Sequence, residues 1–174
     1  MTDGERSLIS ILEGLLDSAV RPQKEELTQA LELACHSSVV RNLHNKEYCD
    51  RRLAQIISNI DESWYLFYGD VDGFKSVNSE LGYDDADEVL RRVGKVIGSF
   101  SGEAFHRSGD EYAILCKESD KDKLFEEIEA NCKSIVTRIR NEKDFVVSLT
   151  FGCINISHGM KSSDNIKHAE ECLK

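Results

Sequence analysis

Apolar residues along this chain repeat with two different periods, and the changes between them mark out the elements. Residues 6–20 carry Leu8, Ile9, Ile11, Leu12, Leu15, Leu16, Ala19 and Val20 at helical spacing, which predicts an amphipathic helix. Arg21-Pro22 interrupts it, and Pro22 suits the first turn of a second helix running to about Cys35. Leu27, Ala30, Leu31 and Ala34 give that helix its apolar face. Residues 36–42 are polar and irregular, which separates an N-terminal helical segment (1–40) from a body (41–174). The two N-terminal helices are too short to form a domain alone, so dimerisation or packing is their expected role.

A helix with Tyr48, Leu53, Ile56 and Ile57 inward starts near Asn45. The run WYLFY at 64–68 is continuously apolar and aromatic, which predicts a buried central strand. It leads into GDVDGF, placing Asp70 at the strand's C-terminal edge and Asp72 just beyond. Phe74, Val77 and Leu81 predict a short helix stopped by Gly82. A longer helix over 84–99 buries Val89, Leu90, Val93, Val96 and Ile97. EAFHR and EYAILC flank a Ser108-Gly109 turn and predict a β-hairpin, with Asp110 and Glu111 directly after the turn. Leu124, Ile128, Cys132, Ile135 and Ile139 predict one long helix over 121–140. Residues 145–156 alternate like a single strand, and SSDNIKHAEECLK reads as a serine-capped helix to the end. This order predicts an α/β (α+β) sheet with antiparallel pairs and covering helices.

Composition narrows the function. Hydrophobic residues at 40% and charged residues at 31% describe a globular protein with an adequate core. A net charge of −10 argues against sequence-independent nucleic-acid binding, which relies on basic patches. No apolar run reaches the roughly 20 residues of a membrane span, and the N-terminus lacks a signal-peptide core, so the cytoplasm is the expected compartment. The six cysteines form no CxxC pair, and buried free thiols are the expected reading.

Asp70 at a strand end and Asp110-Glu111 in a hairpin share one edge of a sheet if their strands are neighbours. Clustered carboxylates repel one another unless a cation lies between them. A hard divalent cation, Mg²⁺ or Mn²⁺, takes oxygen ligands and tolerates bound phosphates. The alternative is that Asp70 and Asp72 cap the following helix while Asp110 and Glu111 face water. Spacing alone leaves both open.

The run DVDGFKSVNSELGYDDADEVLRRVG, followed by RSGDEY, resembles the GGDEF domain of diguanylate cyclases, with NLHNKEYCDRRL similar to that family's opening helix. The resemblance runs from about Asn42 to the C-terminus. It implies a palm-like nucleotidyl-cyclase sheet, mostly antiparallel, with helices on both faces. It also implies condensation of two GTP into cyclic di-GMP, with release of pyrophosphate, by two protomers meeting antiparallel as a homodimer. Two Mg²⁺ or Mn²⁺ ions per site would be held by Asp70, the Val71 carbonyl, Asp110 and Glu111, with Asp110 also a candidate base for the 3′-hydroxyl. Asn78 and Asp87 would read guanine, where an Asp suits the paired N–H donors that adenine lacks. Phe74, Lys75, Ser108 and Gly109 would line the phosphates.

The resemblance is incomplete in ways that bear on activity. Ser108 and Tyr112 replace the first Gly and the Phe of the signature, and His106-Arg107 replaces an Arg followed by an apolar residue. A side chain at 108 narrows the approach to nucleotide, which predicts slower turnover. Tyr83 and Ala86 replace a His and a Gly, and SSVVRN stands where the family has an Asp-x-Leu-Thr stretch. Residues 99–102 lack the family's Arg-x-x-Asp, so no product-inhibition site is expected. The sequence ends at Lys174, before the family's C-terminal Lys and Arg, which predicts truncation there or weaker triphosphate binding. Two alternatives follow: a degenerate domain that binds GTP or a protein partner without turnover, and a palm-type cyclase making another cyclic dinucleotide. An upstream sensor or partner is not identified by the sequence.

Overall fold

The computed structural model describes residues 8–18, 21–59, 62–138 and 144–173. The chain divides into two compact units, Met1–His36 and Ser37–Lys174. The polar segment at 36–42 therefore belongs mostly to the second unit, as its first loop.

In the first unit, α1 (Leu8–Ser18) and α2 (Arg21–Cys35) pack against each other. The apolar period predicts both, and Pro22 sits in the first turn of α2 as expected. Ala19 and Val20 lie outside the described residues. Leu8, Ile11 and Leu15 of α1 are exposed, whereas Ile9 is fully buried.

The second unit is built on a four-stranded sheet in the order β2-β3-β1-β6, antiparallel throughout. Its strands are β1 (Trp64–Val71), β2 (Glu103–Ser108), β3 (Glu111–Lys117) and β6 (Leu149–Asn155). β1 is interior, as the WYLFY run predicts. Because strand side chains alternate between faces, β1 and β3 feed two cores at once. Phe67, Val71, Tyr112, Ile114 and Cys116 pack on one face with Phe74 and Val77 of α4 (Phe74–Leu81) and Val89, Leu90 and Val93 of α5 (Tyr83–Ile97). Leu66, Tyr68, Ala113 and Leu115 pack on the other face with Leu53 and Ile56 of α3 (Lys46–Ser58) and Ile166 of α7 (Ser162–Glu171). Helices cover both faces of the sheet.

Some local pairings fix this arrangement. Asn45 caps α3, its side-chain oxygen accepting from the Tyr48 N–H at 3.0 Å. Gly82, at φ 76°, ends α4 and opens α5, a backbone conformation that suits glycine. A Cβ at Gly69 of β1 would lie 2.6 Å from the Phe151 ring and 2.7 Å from the Thr150 carbonyl, so that position requires glycine. Four of the six cysteines (Cys35, Cys49, Cys116 and Cys132) are buried free thiols, Cys153 is half-buried and Cys172 is exposed.

Three expectations are corrected. The helix over 121–140 ends early: α6 covers Lys121–Asn131, and Ile135–Arg138 forms β4. β4 pairs antiparallel with β5 (Asp144–Val147) in a separate two-stranded sheet. Ile139 and Arg140 lie outside the described residues. The single strand over 145–156 is two strands in two sheets, broken at Ser148. Finally, the N-cap of α7 is Lys161, without a side-chain capping bond, and Ser162 is the first helical residue.

Candidate active site

The antiparallel pairing of β1 with β3 decides which residues share an edge. β1 finishes where β3 begins, so Asp70 stands directly opposite Glu111, with Thr150 of β6 on its other side. The Val71 N–H donates to the Asp110 carbonyl at 3.2 Å, tying the hairpin turn to the end of β1. Asp70, Asp110 and Glu111 therefore occupy one edge of the sheet. Partial burial, and then the carboxylates of Asp110, Asp72 and Glu111, push the Asp70 carboxyl above the usual carboxylate range.

Asp72 belongs to this acidic edge but is otherwise engaged. Its carboxylate accepts from the Ser148 hydroxyl at 2.5 Å and the Thr150 hydroxyl at 2.8 Å. It does not cap α4, whose N-cap is Gly73 at φ 66°, with no side-chain capping bond. The capping alternative for Asp72 is therefore not what this fold does.

The hairpin itself is irregular. His106 pairs with Tyr112 and Ser108 with Glu111, so Arg107 is an extra, bulged residue. The turn consists of Gly109, in the left-handed region at φ 49°, and Asp110. Open space surrounds the Cβ position of Gly109, so the backbone conformation is what favours glycine there. Ser108 is exposed, and its hydroxyl donates to Glu111 Oε2 at 2.7 Å. The serine thus occupies one oxygen of a candidate ligand, in addition to the space a glycine would leave. Tyr112 is fully buried, and its hydroxyl donates to the Leu90 carbonyl at 2.9 Å, so the extra oxygen relative to Phe is satisfied.

The other candidate residues lie on α4 and α5. Phe74 is buried in the core, whereas Lys75 is exposed and makes no ion pair among the described residues. Asn78 and Asp87 are both half-buried. Asp87 Oδ2 stands 3.8 Å from Arg91, which also binds Glu88 at 2.8 Å. The Asp87 carboxylate lies within electrostatic reach of His106, bringing α5 towards the hairpin.

Among the described residues no group of three or more His, Cys, Asp or Glu side chains is gathered in a metal-ligating arrangement. The donor chemistry nonetheless fits a hard cation. All the donors are oxygens, and the charges acting on Asp70 are all carboxylates, a repulsion that a divalent cation would relieve.

Several site-forming contacts have no local signature in the sequence. Arg107, whose side chain is 5% exposed, donates to Asp50 at 2.7 Å and lies 5.7 Å from the Tyr68 ring centroid. Arg52 makes two 2.7 Å bonds to Glu103 at the start of β2. Ser37 bonds His106 across 69 residues of sequence. Such pairs become visible only when the topology is known.

With this fold and acidic edge in view, the family relationship is direct. The profile of the diguanylate cyclase GGDEF domain matches residues 38–174, and the chain belongs to the GGDEF family. It is 27% identical over 110 residues to the diguanylate cyclase DosC of Escherichia coli K12, covering 60% of this chain and 24% of DosC. It is 26% identical over 141 residues to an uncharacterized membrane protein of Staphylococcus haemolyticus, covering 76% of this chain and 38% of that protein. The matched region is thus well under half the length of these curated relatives. Among solved structures, the coiled coil and GGDEF domain of DgcB from Caulobacter crescentus, in complex with c-di-GMP, superposes with a TM-score of 0.75 at 22% identity. That match covers 94% of this chain and 92% of the other. Diguanylate cyclase SiaD of Pseudomonas aeruginosa, in complex with its activator SiaC, gives a TM-score of 0.73 at 20% identity, covering 94% of this chain and 66% of that one. At these identities the structural likeness establishes the fold. Among the described residues no helix is long and apolar enough to cross a membrane.

Proposed function

We propose that this protein is a diguanylate cyclase, condensing two GTP into cyclic di-GMP and two pyrophosphates. The observation that carries the reading is the register that sets Asp70 opposite Glu111, with the Asp110 carbonyl bonded to the Val71 N–H. Asp70, the Val71 carbonyl, Asp110 and Glu111 would hold two Mg²⁺ or Mn²⁺ ions. When bound, such ions polarise the α-phosphate and lower the pKa of an attacking hydroxyl. Asp110, on the turn, accepts the proton of the ribose 3′-hydroxyl at a carboxylate oxygen. Asn78 and Asp87 orient guanine, with the Asp87 carboxylate accepting from its N1–H and N2–H₂ edge. Lys75 and the N-terminal N–H groups of α4, next to Phe74, receive the phosphates, and the Ser108-Gly109 backbone closes the site. Each copy presents one GTP, so the reaction requires two copies facing each other, a homodimer that the N-terminal helices would support.

A second reading, a GTP-binding domain without turnover, is favoured by one contact: the Ser108 hydroxyl occupies Glu111 Oε2. Replacing that serine separates the two. Ser108→Gly frees the Glu111 carboxylate and should raise kcat by about tenfold, the low end of the value of a hydrogen bond to a charged group because Ser108 is exposed. KM for GTP should stay within about twofold, because the serine holds no base-reading residue. Steady-state kinetics on the two proteins checks this. Product analysis after incubation with GTP and Mg²⁺ tests the reading as a whole: cyclic di-GMP and pyrophosphate support it, and bound but unconverted GTP supports the second.

A further inference from the structure

His106 is buried beneath the signature turn, 6% exposed, and its ring centroid is 5.1 Å from that of Tyr112. Its Nε2 lies 2.9 Å from the Gly109 carbonyl and its Nδ1 lies 2.6 Å from the Ser37 hydroxyl. These partners fix the protons. A carbonyl can only accept, so Nε2 carries the hydrogen. Ser37 Oγ already accepts from the Val40 N–H at 3.0 Å and the Val39 N–H at 3.3 Å, so its own hydrogen points to Nδ1. Burial lowers the histidine's pKa, which agrees with a neutral ring; the bond to the Gly109 carbonyl and then the charged neighbours Asp87 and Glu111 act in the opposite direction.

The chain of bonds has a definite direction through the fold. Ser37 is the first residue of the second unit. Its loop is closed by the Ser37 N–H on the Leu43 carbonyl (3.0 Å), and the His44 carbonyl accepts from the His106 N–H (2.9 Å). His106 is therefore gripped by this loop through both main chain and side chain. At the far end, Gly109 immediately precedes Asp110, whose own carbonyl is held by Val71. A neutral imidazole both donates and accepts; an arginine at this position can only donate, and cannot take the serine's hydrogen.

We infer that Ser37 and His106 are positioning residues, a relay that sets the Gly109–Asp110 turn from the segment that follows the N-terminal helices. The relay fixes where the Asp110 and Glu111 carboxylates stand, and its kinetic consequence rests on the proposed cyclase activity. Its structural content does not. In the intact protein, ¹H–¹⁵N correlation of the His106 ring at pH 7 should show the neutral Nε2–H tautomer. Ser37→Ala should speed amide exchange of residues 109–111 by about tenfold, the loss of one buried hydrogen bond. The same change should lower kcat by about tenfold with KM for GTP within about twofold, since a misplaced reacting group costs turnover before binding. Ser37→Thr, which keeps the hydroxyl, should restore both. His106→Gln keeps a donor for Gly109 but loses the ring Nδ1 that meets Ser37, should give intermediate exchange, and decides the matter if Ser37→Ala fails to fold. An Nδ1–H or cationic ring, or unchanged exchange at 109–111 in Ser37→Ala and His106→Gln, overturns the relay. A protein without cyclase activity would overturn the functional reading, while the tautomer and exchange results would still decide the relay.

Discussion

Glu111→Gln should abolish cyclic di-GMP formation, lowering kcat by at least about a thousandfold. The change removes one negative charge while keeping the side chain's length and one acceptor oxygen. Glu111 begins β3 opposite Asp70, half-buried, and its carboxylate takes the Ser108 hydroxyl. An amide oxygen can still take that hydroxyl, so Tm should move by no more than about 2 °C, within about 1 kcal/mol for a chain of this size. What would be lost is the full charge that the proposed reaction sets against a divalent cation and a transferring phosphoryl group. Such charge stabilisation supplies several kcal/mol, and about 4 kcal/mol corresponds to a thousandfold in rate. GTP affinity without metal should be unchanged, because the proposed guanine contacts are Asn78 and Asp87. Initial-rate chromatography and thermal unfolding of the same preparations check both halves.

Asp70→Asn should be equally inactive but more stable than the parent in the absence of metal. The Asp70 carboxyl is raised above its ordinary range by partial burial and by Asp110, Asp72 and Glu111. A group whose folded pKa lies above its unfolded value binds its proton more tightly in the folded state. The stability this contributes is fully present below the ordinary carboxylate pKa and is lost as pH rises through the higher folded value. At neutral pH the ionised Asp70 is thus a destabilising charge, and an uncharged Asn removes it. Asp70 is only partly buried, so the gain is modest in size. Mg²⁺ should then raise the Tm of the parent by binding the folded state and leave that of the variant nearly unchanged. Thermal unfolding at pH 7 with chelator and with Mg²⁺ gives all four values.

The contrast between these acidic positions and the rest of the site shows how far local sequence reaches. β1, α5 and the hairpin are legible because each carries its period within a short window: WYLFY is uninterrupted, and Val89, Leu90, Val93 and Ile97 trace one helix face. Asp70, Asp110 and Glu111 are legible because they sit at the ends of those readable elements. The stretch after α6 misleads for a physical reason. Ile128, Cys132 and Ile135 continue a helical spacing, yet Ile135–Arg138 buries alternate residues and finds its partner in Asp144–Val147. The strand's stabilisation is non-local, and the periodicity is an accident of a short window. Ser148 is similar: nothing in FVVSLTFGCINI marks it as a break. In the fold its carbonyl and hydroxyl both serve Asp72, while β5 and β6 go to different sheets. The departure at His106 is legible as a difference, but its meaning depends on Ser37, which only the folded chain brings within 2.6 Å.

We propose that the acidic edge formed by Asp70, Asp110 and Glu111 joins two GTP molecules. Its most direct test is product analysis with GTP, ATP, and both together, in Mg²⁺, on the parent protein and Glu111→Gln. Cyclic di-GMP with two pyrophosphates per product is expected from GTP alone, no product from ATP, and none from the variant. GTP left intact by the parent protein, or a product that incorporates adenine or survives Glu111→Gln, would contradict it.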